Sequence, residues 1–185
     1  MNYRNLSSDL DEQWFALQVK CRHEKAIAET LQSKAYEAFA PTWHARKNQG
    51  KRAQDTETPL FPGYTFARFD ARFRLPILMT PGVHCVVGYG HVPTPIADAE
   101  INAIRDVLQT RLPVEPCEYL EEGVRVRIVS GSLAGVTGIL LRHSSSCRVV
   151  LSVCLIRQSI RVEVDRDLLE VEPEIPASSR LRIAS

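Results

Sequence analysis

The sequence predicts an α+β protein: an N-terminal α/β sandwich, built as an antiparallel sheet with flanking helices, followed by a small C-terminal β-barrel. Three observations predict it. Up to residue 110 the apolar positions switch between period 2 and period 3.6, in the order strand-helix-strand-strand-helix-strand-helix. Arg111–Glu118 then carries two prolines in eight residues and no period. Beyond it the period is 2 throughout.

The elements follow in chain order. Trp14–Val19 is short and β-prone, which predicts a buried strand. Ile27, Leu31 and Ala35 recur at four-residue spacing and predict one face of a helix over 24–35. Residues 36–45 and 58–69 read as two strands, and the polar stretch Arg46–Glu57 between them reads as a long, mobile, basic hairpin tip. Residues 71–79 predict a short helix that Pro76 forces to start late or kink. Pro81-Gly82 marks a turn, and His84–Tyr89 another strand. Asp98 is suited to cap a helix whose apolar face is Ile101, Ile104 and Leu108.

Arg111–Glu118 reads as a linker. After it Val124, Val126 and Ile128 alternate with Arg125 and Arg127, Val149–Ile156 is an apolar run, and Ile160, Val162 and Val164 alternate again. Short strands at this density predict a barrel. The expected division is a flexible start (1–13), the sandwich (14–110), the linker (111–118), the barrel (119–172) and a patternless, frayed tail (173–185).

Composition narrows the function classes. The chain has 185 residues, with 44% hydrophobic and 24% charged, as in ordinary globular proteins. No apolar run approaches the roughly 20 residues of a membrane helix, and no apolar stretch follows the N-terminus, so a cytoplasmic monomer with no membrane contact is expected. Five cysteines, at 21, 85, 117, 147 and 154, show no CxxC spacing, and reduced, mostly buried thiols are expected. Net charge is +1, so any nucleic-acid footprint must be local. Two such clusters exist: Lys20, Arg22, His23 and Lys25; and Arg46, Lys47, Lys51 and Arg52.

Catalysis is not expected. The five histidines form no HxxxH or HExxH pair, and no nucleophile elbow or phosphate loop occurs. His84 and Cys85 are adjacent, but neighbours on a strand point to opposite faces. No metal, cofactor or catalytic residue is predicted.

Two motifs carry a resemblance. In the second half, the segment from Glu122 to Leu140 runs from a strand into a loop with glycines at 131, 135 and 138, which suits positive φ and close backbone approach, and leaves as a strand. It resembles the KOW motif of SH3-like barrels. In the first half, Trp14-Phe15-Ala16-Leu17, Glu24-Lys25, Pro59-Leu60-Phe61-Pro62-Gly63-Tyr64-Thr65-Phe66, Thr80-Pro81-Gly82-Val83 and Pro93-Thr94-Pro95-Ile96 are similar in order and spacing to the N-terminal domain of NusG transcription factors. The resemblance spans 14–172. Arg22-His23-Glu24-Lys25 and Leu151–Ser159 bring the chain nearest the specialised RfaH and UpxY type of paralogue, antiterminators of long operons.

The resemblance implies an elongation and antitermination factor that raises processivity. Its N-terminal domain would take the clamp helices of the largest RNA polymerase subunit at Leu17, Phe61, Tyr64 and Phe66. Lys20, Arg22, His23 and Lys34 would lie at or next to positions that touch the non-template DNA strand. Leu133, Leu155 and Ile156 match exposed apolar barrel positions that bind a ribosomal protein or Rho, and Ile156, where housekeeping members have an aromatic, would weaken Rho binding. Leu75-Pro76-Ile77 replaces a polar motif facing the opposite polymerase jaw. The barrel's period-2 pattern implies strands rather than a helical alternative. Two rivals stay open: a ribosome-associated or RNA-binding KOW protein, and a Cys or His hydrolase.

Overall fold

A computed structural model of the chain describes residues 12–49, 52–90, 92–110, 112–117, 123–142 and 147–172, with the side chains of 44–49, 52–56, 142, 147 and 154 left aside. The expectations for the extreme N-terminus, the C-terminal tail and the hairpin apex at 50–51 fall outside the described residues.

The first half contains β1 (Gln13–Val19), α1 (Glu24–Ser33), β2 (Glu37–Phe39), β3 (Thr42–Gln49), β4 (Arg52–Pro59), β5 (Tyr64–Phe69), α2 (Leu75–Leu78), β6 (Val83–Val86), β7 (Gly88–Tyr89), β8 (Val92–Pro93) and α3 (Asp98–Gln109). β2, β5, β1 and β6 form one antiparallel sheet in that order. Strict alternation along β1 and β5 divides its faces. Phe15, Leu17, Val19, Ala67 and Phe69 pack with Ile27 and Leu31 of α1. Trp14, Ala16 and Phe66 pack on the other side with Ile101, Ile104 and Val107 of α3.

The second half contains β9 (Val114–Cys117), β10 (Val124–Ile128), β11 (Thr137–Arg142), β12 (Cys147–Val153), β13 (Gln158–Val164) and β14 (Leu169–Val171). They form a six-stranded antiparallel sheet, ordered β14-β10-β11-β12-β13-β9. Val126, Ile128, Val149, Leu151, Val153, Ile160 and Val162 are all buried, and the sheet curls into a barrel around them. Gly131 and Gly135 adopt positive φ, and a Cβ at Gly138 would stand 2.6 Å from the Val150 carbonyl oxygen, so the expected glycine chemistry of this corner is present. Helix α3 lies against both β1 and β12, and one apolar cluster joins the α3 face of the sheet to the barrel interior.

Several expectations are corrected. The supposed linker holds β9, which pairs with β13 from Val114↔Val162 to Cys117↔Ser159. Pro116 is tolerated because β9 is a sheet edge, where one side of the backbone needs no partner. The strand expected at 36–45 is two strands, β2 and β3, separated at Ala40-Pro41. The long tip is instead a regular ladder, paired from Thr42↔Pro59 to Gln49↔Arg52. Helix α1 ends at Ser33, because Ala35 takes φ 65 and its N–H bonds back to the Gln32 carbonyl, which closes the turn. Ala97, rather than Asp98, occupies the cap position of α3, and Asp98 sits in the first turn where its charge favours the helix N-terminus. Val107 completes the buried face of α3, with Leu108 half-buried beside it. Cys21 and Cys85 are exposed, against the expectation of buried thiols.

Candidate protein-docking site

The α3 face of the sheet is covered at one end and open at the other. At the covered end the Arg105 guanidinium lies 4.5 Å from the Trp14 ring centroid and 4.8 Å from that of Phe39. Its Nη1 donates to Glu37 Oε1 at 2.8 Å. Trp14 and Phe39 meet edge to face, and Phe66 contacts both Phe39 and Phe61. This aromatic layer with an arginine over it fixes α3 on the Trp14 side.

At the open end a cross-strand row runs Tyr64–Gln18–Cys85. Gln18 is the register partner of Tyr64 on β5 and of Cys85 on β6. The Cys85 thiol reaches Gln18 Oε1 at 3.4 Å. Gln18 and Cys85 are exposed and Tyr64 is half-buried. Residues directly opposite one another share a face, so the row forms a shelf with a phenol at one side and polar groups at the other. Phe66, two residues along on the same face, and Phe61 packed edge-on against it are buried, at 0% and 1% exposure.

The residues expected to grip a partner are therefore only partly brought together. Tyr64 reaches the surface. Phe61 and Phe66 are buried rather than exposed for contact. Leu17 is corrected: it is buried on the opposite face against α1, because it stands one residue from Gln18 and alternation turns it away. Gln18 and Cys85 were missed. Their signal was available only through register, since neither residue type marks a docking surface in a linear reading.

The turn that presents Tyr64 is tightly held. Gly63 takes φ 82, a left-handed conformation that disfavours a Cβ. Its carbonyl accepts from Val19 N–H at 2.8 Å, and Tyr64 N–H donates to the Phe61 carbonyl at 3.1 Å.

Lys20, Arg22 and His23 are all exposed in the loop between β1 and α1. Arg22 takes φ 66, and His23 Nδ1 lies 3.1 Å from the Cys21 carbonyl oxygen. Lys25 is engaged by Glu57 at the base of β4, at 2.8 Å, and this carboxylate raises the lysine pKa through a hydrogen bond and charge attraction. Lys34 sits past the far end of α1, about 15 Å of helix rise from His23, and its Nζ donates to Thr80 Oγ1 at 2.7 Å, two residues from the Gly82 carbonyl that accepts from Lys20 N–H.

In the barrel, Leu133 and Ile156 are corrected as well. They are 3% and 8% exposed and belong to the core. Leu133 tucks inward because the corner closes on itself, with Gly135 N–H bonded to the Ile128 carbonyl at 2.7 Å. Leu155 is half-buried. Among the described barrel residues Val124, Val129 and Val171 are the large apolar side chains that are exposed.

Among the described residues, no three His, Cys, Asp or Glu side chains converge to hold a metal ion. No described helix is long and apolar enough to cross a membrane.

A family model described as the transcription termination factor NusG matches residues 12–105, which include β1, the Tyr64 turn and the first two thirds of α3. The chain belongs to the NusG family. It is 26% identical to the NusG transcription termination/antitermination protein of Helicobacter pylori over 164 residues, covering 82% of this chain and 93% of that one. Identity to the NusG of Thermus thermophilus is 27% over 174 residues, covering 83% and 95%. A solved structure described as domain interaction in Thermotoga maritima NusG has the same fold, with a TM-score of 0.52 and 18% identity over 87% of this chain and 97% of that one. The protein is thus a NusG-like transcription termination/antitermination factor, and the NusG relatives extend over the barrel as well as the sheet.

Proposed function

We propose that this NusG-family chain is an elongation and antitermination factor that grips the clamp helices of RNA polymerase through Tyr64, raises processivity, and recruits a second partner through its barrel. The observation that carries the reading is the uncovered Tyr64–Gln18–Cys85 row beside an aromatic layer. Tyrosine gives large contact area at low entropy cost and a polar tip, which favours it at interface hot spots. The buried Phe61 and Phe66 belong to the apolar cluster that Tyr64 packs against, and Gln18 supplies amide donors and an acceptor beside it.

The exposed loop cations Lys20, Arg22 and His23 touch the non-template strand through phosphate, with His23 adding a stacking surface. The barrel meets a ribosomal protein or Rho with Leu155 at the contact. The sheet with its helices, residues 14–110, and the barrel, here starting at Val114, serve as two modules. The segments Arg22-His23-Glu24-Lys25 and Leu151–Ser159 favour placement among the specialised, RfaH- and UpxY-type paralogues.

The test is a pull-down of core RNA polymerase by the full chain and by Tyr64→Asp. The variant is expected to lose polymerase while keeping its circular dichroism. Undiminished capture would refute the docking assignment.

A further inference from the structure

Glu24 is a carboxylate with 3% exposure at the first position of α1. Burial of such a group is costly unless hydrogen bonds compensate it. Its bonds go to the two residues that flank Tyr64. The side-chain Oε1 accepts from Gly63 N–H at 2.8 Å. The Glu24 main-chain carbonyl accepts from Thr65 Oγ1 at 3.0 Å, and Thr65 is fully buried.

We propose that Glu24 is the positioning residue for the Tyr64 contact. Holding residues 63 and 65 from the α1 face fixes the backbone between them, and alternation then aims the Tyr64 side chain onto the opposite, open face. Without the carboxylate, Gly63 retains only its carbonyl bond to Val19, and its buried N–H has no acceptor. Glu24 also follows directly on the exposed Arg22 and His23, so the cationic loop and the tyrosine turn are tied into one rigid unit. This role rests on the reading of Tyr64 as a polymerase contact.

The experiment measures affinity of the full-length protein for core RNA polymerase, together with amide exchange at Gly63 and thermal midpoint. The variants are Glu24→Ala, Glu24→Gln, Tyr64→Ala, the double Glu24→Ala/Tyr64→Ala, and Ile27→Val as an α1 core control. Glu24→Ala is expected to weaken binding about ten-fold and to speed Gly63 exchange, as loss of a charged hydrogen bond does. Glu24→Gln, which keeps an acceptor, stays within about three-fold of wild type. The double variant binds no worse than Tyr64→Ala alone, the non-additivity expected of residues that act as a unit.

Wild-type affinity in Glu24→Ala, additive losses in the double variant, or an equal loss in Ile27→Val would each overturn the positioning role. If Tyr64→Ala alone binds normally, the docking assignment fails and the role of Glu24 falls with it. If Tyr64→Ala weakens binding and Glu24→Ala does not, only the positioning role fails. Should Glu24→Ala not fold, Thr65→Val removes the second bond and is expected to weaken binding about three-fold, with unchanged binding counting against the proposal.

Discussion

Arg105 on α3 stacks over Trp14 on β1 at 4.5 Å, and this contact fixes which part of the sheet the helix covers. Beyond it Ala16 and Phe66 are still buried, and the face opens at the Tyr64–Gln18–Cys85 row. The guanidinium is 31% exposed and shares Glu37 with Arg68, so stacking rather than charge pairing dominates its contribution.

Arg105→Ala is expected to lower unfolding free energy by about 1–2 kcal/mol in a urea titration. Arg105→Lys should recover less than half of that, because a compact, strongly hydrated ammonium keeps less contact with the two rings than a guanidinium does. Equal stability of all three proteins would show that α3 is held by its apolar face alone.

Leu133 and Leu155 should separate stability from partner binding. Leu133→Ala removes a core side chain and is expected to cost about 2–4 kcal/mol. Leu155→Ala should cost under about 1.5 kcal/mol yet weaken capture of the barrel's partner. Chemical denaturation and pull-down on both variants check the pair, and a reversed order would return Leu133 to the surface.

Asp70 caps the turn at Ala71–Phe73. Its Oδ1 accepts from Arg72 N–H at 2.9 Å and its Oδ2 from Arg72 Nε at 2.8 Å. These hydrogen bonds, ahead of opposing desolvation, hold its pKa below the usual aspartate range. A depressed folded pKa gives stability that is full above the unfolded value of about 4 and is lost as pH falls through the folded one. Asp70→Asn should therefore lower stability at pH 7, where the charged interaction is full, and converge on the wild type as pH falls, which flattens the acid limb below about pH 4. An unchanged acid limb would assign that limb to other carboxylates.

Lys20, Arg22 and Lys34 should differ in single-stranded DNA binding. Arg22→Ser and Lys20→Ser are each expected to weaken it and to reduce the salt slope by about 0.7. Lys34→Ser should weaken it less, because that ammonium is already hydrogen-bonded to Thr80 Oγ1 at 2.7 Å. Equal losses at all three positions would show the cations acting as one surface.

Much of the fold is legible in particular residues. The period-2 runs at 124–128 and 160–164 become β10 and β13, and Ile27 and Leu31 become the buried face of α1. Short signals misled where tertiary pairing prevailed: Pro113 and Pro116 suggest a linker, yet the open edge of β13 recruits the residues between and after them. Of the site, Tyr64 was legible because its aromatic strand motif is local. Gln18 and Cys85 were not, since the register that sets them beside Tyr64 joins segments 46 and 67 residues apart from Gln18.

By itself the sequence determined the division into a mixed half and an all-strand half, the absence of any strong net charge, and membership cues concentrated in Pro59–Phe66 and the glycine corner of the barrel. These depend on period, φ preference and spacing, which are properties of neighbouring residues. Only the tertiary structure decided that Leu17 faces α1, that Leu133 and Ile156 are core, and that Glu24 grips both neighbours of Tyr64. Those outcomes depend on which surfaces meet across long loops, and burial is a property of the meeting rather than of either residue.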